Sequence, residues 1–142
     1  EIYGLPIEQI IEISIVFPTT PVPRTSEFVL GIGNMRGSVM PVIDLARRLR
    51  LGVCKPARET RVLIVRHLDE PHGIVVDRVL EVISLPPEEM ENTPGGIGST
   101  RADFILGLGR DRRRLIIILD IATVLAERDF LLPKFRRERA AS

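Results

Sequence analysis

Three glycines, Gly31, Gly33 and Gly37, are spaced in a way that could serve phosphate chemistry, because glycine-rich turns hold nucleotide phosphates at helix starts. The dinucleotide-binding turn has the spacing G-x-G-x-x-G and leads into a helix. Here the last glycine comes one residue too late, and residues 38–43 are predicted to form a strand. We therefore predict no phosphate-binding loop at these glycines.

Two histidines and one cysteine are the other candidates for metal or nucleophilic chemistry. His67 and His72 flank a predicted hairpin turn, but no third ligand is near them in the sequence, so we predict no metal site. Cys54 is the only cysteine, which excludes an internal disulfide and a cysteine-based metal cluster. It has no neighbouring base pattern, and we predict no catalytic nucleophile and no enzyme activity.

The composition indicates a β-rich globular protein. The 142 residues are 44% hydrophobic and 27% charged, which excludes a disordered tail and allows one domain or two very small ones. Isoleucine (17) and valine (13) dominate the apolar share, whereas aromatic residues make up only 4%. This weighting favours strands.

A run of residues repeats 76 positions later without a gap. The matched segments are residues 28–33 with 104–109 and residues 40–46 with 116–122. Asp44 and Asp120 are equivalent in this repeat, and each precedes a short predicted helix. We interpret them as helix caps, whose carboxylates accept hydrogen bonds from the first amides, and not as a catalytic carboxylate pair.

A second stretch repeats at an offset of 69, where residues 4–13 match residues 73–82 and Glu12 matches Glu81. Two copies are too few for a solenoid, so the repeat predicts two similar lobes that share one core. A loop is predicted between the blocks of the second copy, at Pro86, Pro87, Pro94, Gly95, Gly96 and Gly98.

The predicted fold is all-β, with antiparallel sheets closed into small barrels and a few short helices. The predicted strands are residues 3–6, 10–16, 28–33 and 38–43, and then 61–67, 72–76, 79–85, 104–109 and 115–119. The strand at 61–67 has no counterpart in the first lobe, where it would have to precede residue 1. We expect either that the natural protein begins earlier or that another segment fills this place.

Residues 31–45, GIGNMRGSVMPVIDL, resemble the signature of the CheW-like domain family of bacterial chemotaxis. Supporting matches at residues 3–12, 73–79 and 105–109 extend the resemblance over residues 1–126 in family order. It implies one domain over 1–126 with two five-stranded SH3-like barrels, about 1–55 and 56–126, which could exchange terminal strands. Residues 127–142 would be a C-terminal extension.

The resemblance also implies a function. Proteins of this family are cytoplasmic adaptors without enzymatic activity or cofactor, and they join the tips of chemoreceptors to the regulatory domain of the histidine kinase CheA. Such a protein would reach the membrane only through the receptors.

The resemblance implies a set of receptor- and kinase-binding residues. Arg36 matches the arginine that the family uses to contact receptors, Asn34 and Gly37 shape its turn, Ile10 and Glu12 match coupling positions, and Gly31 and Gly73 match glycines near the functional surface. Glu81, the repeat counterpart of Glu12, favours a structural role for both acids.

Two other functions remain open from the sequence. The chain could be a CheW-like regulatory domain cut from a larger protein, either the kinase itself or an adaptor fused to a receiver domain. Alternatively, residues 110–114 (RDRRR) could bind nucleic acid, although the net charge of +1 and the scarcity of aromatics argue against this. A second basic cluster lies at residues 134–139.

The C-terminal extension contains the apolar residues Phe130, Leu131, Leu132 and Phe135. We predict that these residues pack on the barrels. The alternative is that they bind a partner or mediate self-association, which could also occur through the missing strand.

Overall fold

The computed structural model describes residues 1–91 and 101–132. The predicted loop at Pro94, Gly95, Gly96 and Gly98, the basic cluster at 134–139 and Phe135 lie outside these residues. Within the described ranges the strands are β1 (Ile2–Gly4), β2 (Ile10–Ile15), β3 (Thr19–Thr20), β4 (Val29–Met35), β5 (Ser38–Asp44), β6 (Arg61–His67), β7 (Glu70–Val76), β8 (Met90–Glu91), β9 (Ile105–Asp111) and β10 (Arg114–Leu119).

The helices are short. Helix α1 (Leu45–Arg48) and helix α2 (Ile121–Val124) have one turn each, and single 3-10 turns occur at Ile7–Gln9, Pro87–Glu89, Ala102–Phe104 and Glu127–Phe130. The Asp44 and Asp120 carboxylates each accept a hydrogen bond at 3.1 Å from the amide two residues later. The predicted caps are confirmed, and each contributes about 1 kcal/mol.

The strands form a six-stranded sheet in the order β2-β6-β7-β5-β4-β3 and a four-stranded sheet in the order β1-β10-β9-β8. The prediction of an all-β fold is confirmed, with six and four strands in place of five and five. Pairing is antiparallel except for β1 with β10 and β5 with β7, which are parallel. Strand β1 therefore joins the sheet of the second repeat, while the β6–β7 hairpin joins that of the first.

The predicted strand at residues 79–85 is wrong. These residues repeat the sequence of β2, yet they form no strand, and Val82 is 70% exposed. Strand β2 exists because β6 supplies backbone partners along its length. No strand in the described part of the chain pairs with residues 79–85, and an extended segment without a partner leaves its ladder hydrogen bonds unmade.

Both sheets bury their apolar faces in one shared core. Ile43 and Ile74 from the first sheet pack in the same cluster as Ile117 and Leu119 from the second. A smaller cluster lies inside the curl of the first sheet and consists of Met40, Val42, Cys54, Val62, Ile64 and Val75. Residues of both repeats therefore pack in a single cluster.

The described beginning of the C-terminal extension packs on this unit. Phe130 is buried and meets the Phe28 ring edge to face, with ring centroids 5.8 Å apart. The Ser26 amide donates to the Phe130 carbonyl at 2.7 Å. The predicted packing is confirmed for Phe130.

Candidate protein-interaction surface at the first hairpin

A tight turn joins β4 to β5 and carries an arginine at its tip. Arg36 and Gly37 have φ angles of 52° and 85°, the left-handed values of a two-residue hairpin turn. The Asn34 side-chain oxygen accepts a hydrogen bond from the Gly37 amide at 2.9 Å and fixes the turn. This geometry directs Arg36 outwards, and its side chain is 75% exposed.

The Arg36 guanidinium forms a bidentate ion pair with Glu12 on β2, with N–O distances of 3.1 and 3.0 Å. Three strands separate β2 from β4 in the sheet order, a distance of about 19 Å if the sheet were flat. The contact therefore requires the sheet to curl. A register shift between Ile10 and Glu12 shows a bulge in β2 at this place, where bulges commonly re-aim side chains.

A shallow groove of about 380 Å³ lies beside this ion pair. Its lining is mostly apolar, and Glu12, Arg36, Ser38 and Arg66 supply the polar part. The apolar lining residues are Ile11, Met35, Met40, Ile64 and Pro71. An apolar floor with a charged rim is the usual composition of a protein–protein contact.

Strand β2 also carries exposed apolar residues away from the groove. Ile11, Ile13 and Ile15 alternate along it and are 47%, 45% and 72% exposed. Glu12 lies across from Ile64 of the groove lining, whereas Ile13 lies across from Leu63 of the shared core, so Ile13 and Ile15 are on the other face of the sheet. The groove and the Arg36 hairpin together form what we call the first-hairpin surface.

The structure brings four of the seven predicted site residues to this surface, namely Arg36, Glu12, Asn34 and Gly37. The other three lie within the sheet. Ile10 is partly buried against the shared core. A Cβ at Gly31, where φ is 140°, would collide with the Thr20 carbonyl.

Gly73 is buried in β7 between two valines. A Cβ there would stand 3.1 Å from a Val62 methyl carbon and 3.2 Å from a Val42 methyl carbon. Glycine at this place allows close packing inside the sheet.

The other chemistry-bearing residues serve the fold. The His67 and His72 rings meet edge to face at 5.5 Å, and burial, followed by the neighbouring His72, lowers the pKa of His67. Burial raises the pKa of the Cys54 thiol to about 12. The residues described contain no cluster of three or more histidine, cysteine or acidic side chains placed to hold a metal. No helix in the described part of the chain is long and apolar enough to span a membrane.

Arg48 is an important residue that the sequence analysis missed. It is buried at the junction of the two repeats, where it donates to the Val124 and Thr123 carbonyls at 2.8 Å and to the Asp129 carboxylate at 3.0 Å. Its guanidinium carbon lies 4.5 Å from the Phe28 ring centroid. The repeat contains a signal for this, because the offset of 76 aligns Arg48 with the apolar Val124.

The second repeat carries a related hairpin between β9 and β10. Its tip residues, Arg112 and Arg113, have φ angles of 50° and 70°. Arg114 next to the tip forms ion pairs with Glu81 at 2.6 Å and with Asp111 at 2.8 Å. Glu81 thus pairs with a hairpin arginine, as its counterpart Glu12 does.

Comparisons with known proteins agree with this architecture. Residues 1–129 match the family described as CheW-like domain. The chain is 35% identical to the chemotaxis protein CheW of Helicobacter pylori over 130 residues, covering 92% of this chain and 78% of that protein. It is 32% identical to the chemotaxis protein CheW of Bacillus subtilis over 123 residues, covering 87% of this chain and 79% of that protein.

A solved structure is similar over most of its length. The crystal structure of the scaffolding protein TtCheW from Thermoanaerobacter tengcongensis superposes with a TM-score of 0.78 at 33% identity. The match covers 86% of this chain and 79% of that one.

Proposed function

Because the chain belongs to the CheW-like domain family, we propose that it couples the cytoplasmic tips of chemoreceptors to the histidine kinase CheA. The chain is a non-enzymatic chemotaxis adaptor, as its relatives are. In this proposal it works in the cytoplasm and meets the membrane only through the receptors. The kinase contact is with the regulatory domain of CheA.

The main observation in support of a receptor contact is the position of Arg36 at the edge of the apolar groove. Glu12 holds the guanidinium at two points, so the planar group is positioned before a partner arrives. A positioned guanidinium can bind carboxylates or carbonyl oxygens at the end of a partner helix. The apolar lining of the groove, with Ile11 and Met35, would bury the apolar face of the same helix.

Binding to two isolated fragments tests the proposal. The wild-type chain should bind both a receptor signalling-tip fragment and the CheA regulatory domain, and should not bind the remaining CheA domains. Arg36→Glu should weaken receptor binding by about tenfold or more, because it reverses a charge at the contact, and leave kinase binding unchanged. Arg58→Glu, an exposed charge reversal elsewhere, is the matched control. Failure of the wild-type chain to bind either fragment contradicts the proposed function.

A further inference from the structure

The β9–β10 hairpin presents arginines in the same way as the first hairpin. The offset of 76 places Arg112 at the position of Arg36 and Arg113 at the position of Gly37. Both tip residues are exposed and both have positive φ. The second repeat therefore keeps the outward arginine and adds another beside it.

The added arginine is in a backbone conformation that favours glycine. A residue with a Cβ in the left-handed region costs about 1 kcal/mol relative to glycine, and this turn type prefers glycine at its second position. Gly37 meets that preference in the first hairpin, whereas Arg113 does not. Backbone strain retained where glycine would relieve it points to a use for the side chain.

Local acids do not neutralise the tip. The Glu81 and Asp111 carboxylates are both directed to Arg114, whose guanidinium nitrogen they approach at 2.6 and 2.8 Å. Arg110, Arg112 and Arg113 are exposed, and none of them forms an ion pair with another described residue. Three guanidinium groups without an acidic partner in the described part of the chain thus share one end of the hairpin.

We propose that Arg110, Arg112 and Arg113 form a second docking surface, which binds a carboxylate-rich segment of a partner protein independently of the first-hairpin surface. Guanidinium groups bind carboxylates through paired hydrogen bonds. Leu115 is exposed and lies directly across from Arg110 in the register, so the surface mixes apolar and cationic contacts, as protein partners require.

Nucleic acid fits this surface less well. The chain has a net charge of +1 and only 4% aromatic residues, so it offers little overall attraction for a polyanion and few rings on which bases could stack.

Fluorescence anisotropy with a labelled glutamate peptide of about eight residues, at roughly 50 mM salt where screening is modest, tests this surface. The wild-type chain should bind it more tightly than the glutamine peptide of equal length. Arg112→Glu with Arg113→Glu should weaken binding at least fivefold. Arg50→Glu with Arg58→Glu, a charge-matched control at exposed arginines, should change it less than twofold.

A single substitution at Arg113 distinguishes a binding role of its side chain from an effect of its strained backbone. Arg113→Gly should keep or raise the thermal midpoint and still weaken peptide binding two- to threefold. Equal weakening in the control variant, or peptide binding unaffected by the hairpin substitutions, overturns the proposal. The proposal is also overturned if an oligonucleotide or phosphatidylserine vesicles bind more tightly than the glutamate peptide and lose that binding in the hairpin variant.

Discussion

Arg36 and Glu12 are joined by two parallel hydrogen bonds that connect the β4–β5 turn to strand β2. The Arg36 side chain is 75% exposed and that of Glu12 is 29% exposed. Exposed ion pairs of this kind contribute about 0–1 kcal/mol to stability. The pair therefore does more to orient Arg36 than to hold the sheet closed.

Exchanging the two charges tests whether the Arg36 guanidinium itself contacts the receptor or whether only its ion pair with Glu12 is needed. Arg36→Glu combined with Glu12→Arg should restore the ion pair and leave the free energy of unfolding in urea within about 1 kcal/mol of the wild type. Receptor-fragment binding should stay lost, because the guanidinium no longer lies at the hairpin tip. Recovery of binding in the double variant would show that the pair acts only as a clamp.

Replacing Arg48 should destabilise the fold strongly. Arg48→Met keeps much of the packing but removes the hydrogen bonds that Arg48 donates to the Asp129 carboxylate and to two carbonyls at the repeat junction. We expect a loss of about 3 kcal/mol in urea denaturation, as for other broken buried pairs. Arg50→Met, at an exposed arginine just after the same helix, is the control and should lose less than about 1 kcal/mol. Equal losses would contradict a special role for Arg48.

Gly31→Ala should be far more damaging than Gly52→Ala. Both glycines have positive φ, but a Cβ at Gly31 meets the Thr20 backbone while one at Gly52 meets open space. Gly52→Ala should cost about 1–3 kcal/mol, from backbone conformation alone. Thermal unfolding of both variants measures the difference, and similar midpoints would contradict the close approach of β3 to β4.

The Cys54 thiol should be inert in the folded protein. It is buried, and burial, with Asp77 as the next cause, raises its pKa to about 12. Because the thiolate is the reactive form, a disulfide reagent at pH 8 should label Cys54 only after unfolding in urea. Rapid labelling without denaturant would show that the apolar packing around the thiol, inside the curl of the first sheet, opens readily.

Stability should fall as the solution becomes mildly acidic. Burial lowers the pKa of His67 below its ordinary value of 6.5, so the folded state binds this proton less readily than the unfolded state. The stabilisation is complete above pH 6.5 and is lost as the pH falls towards the lowered pKa. His67→Gln should reduce this pH dependence in urea denaturation between pH 7.5 and about 5. An unchanged pH profile would exclude His67 as the cause.

The sequence was sufficient to predict features that depend on residues close to one another along the chain. Asp44 and Asp120 cap helices through amides two residues away, and Asn34 and Gly37 build a turn within four residues. Such contacts are formed wherever the segment lies in the fold, so residue type and spacing were sufficient to predict them.

Features that depend on distant partners were harder to predict. Residues 79–85 have the strand pattern of β2 but no strand beside them in the described residues, and a pattern alone cannot supply partners. Glu12 and Arg36 were both identified, but their pairing requires a curled sheet. Arg48 follows another arginine in a short helix, and only the apolar Val124 at its repeat position indicated burial.

The most direct test of the central claim is receptor-dependent kinase activity in a mixture of receptor fragment, CheA and this chain. The wild-type chain should raise CheA autophosphorylation in a receptor-dependent way. Arg36→Glu should bind the CheA regulatory domain as the wild type does and lose most of that receptor-dependent activity. Full activity with Arg36→Glu, or none with the wild-type chain, would contradict coupling through the first-hairpin surface.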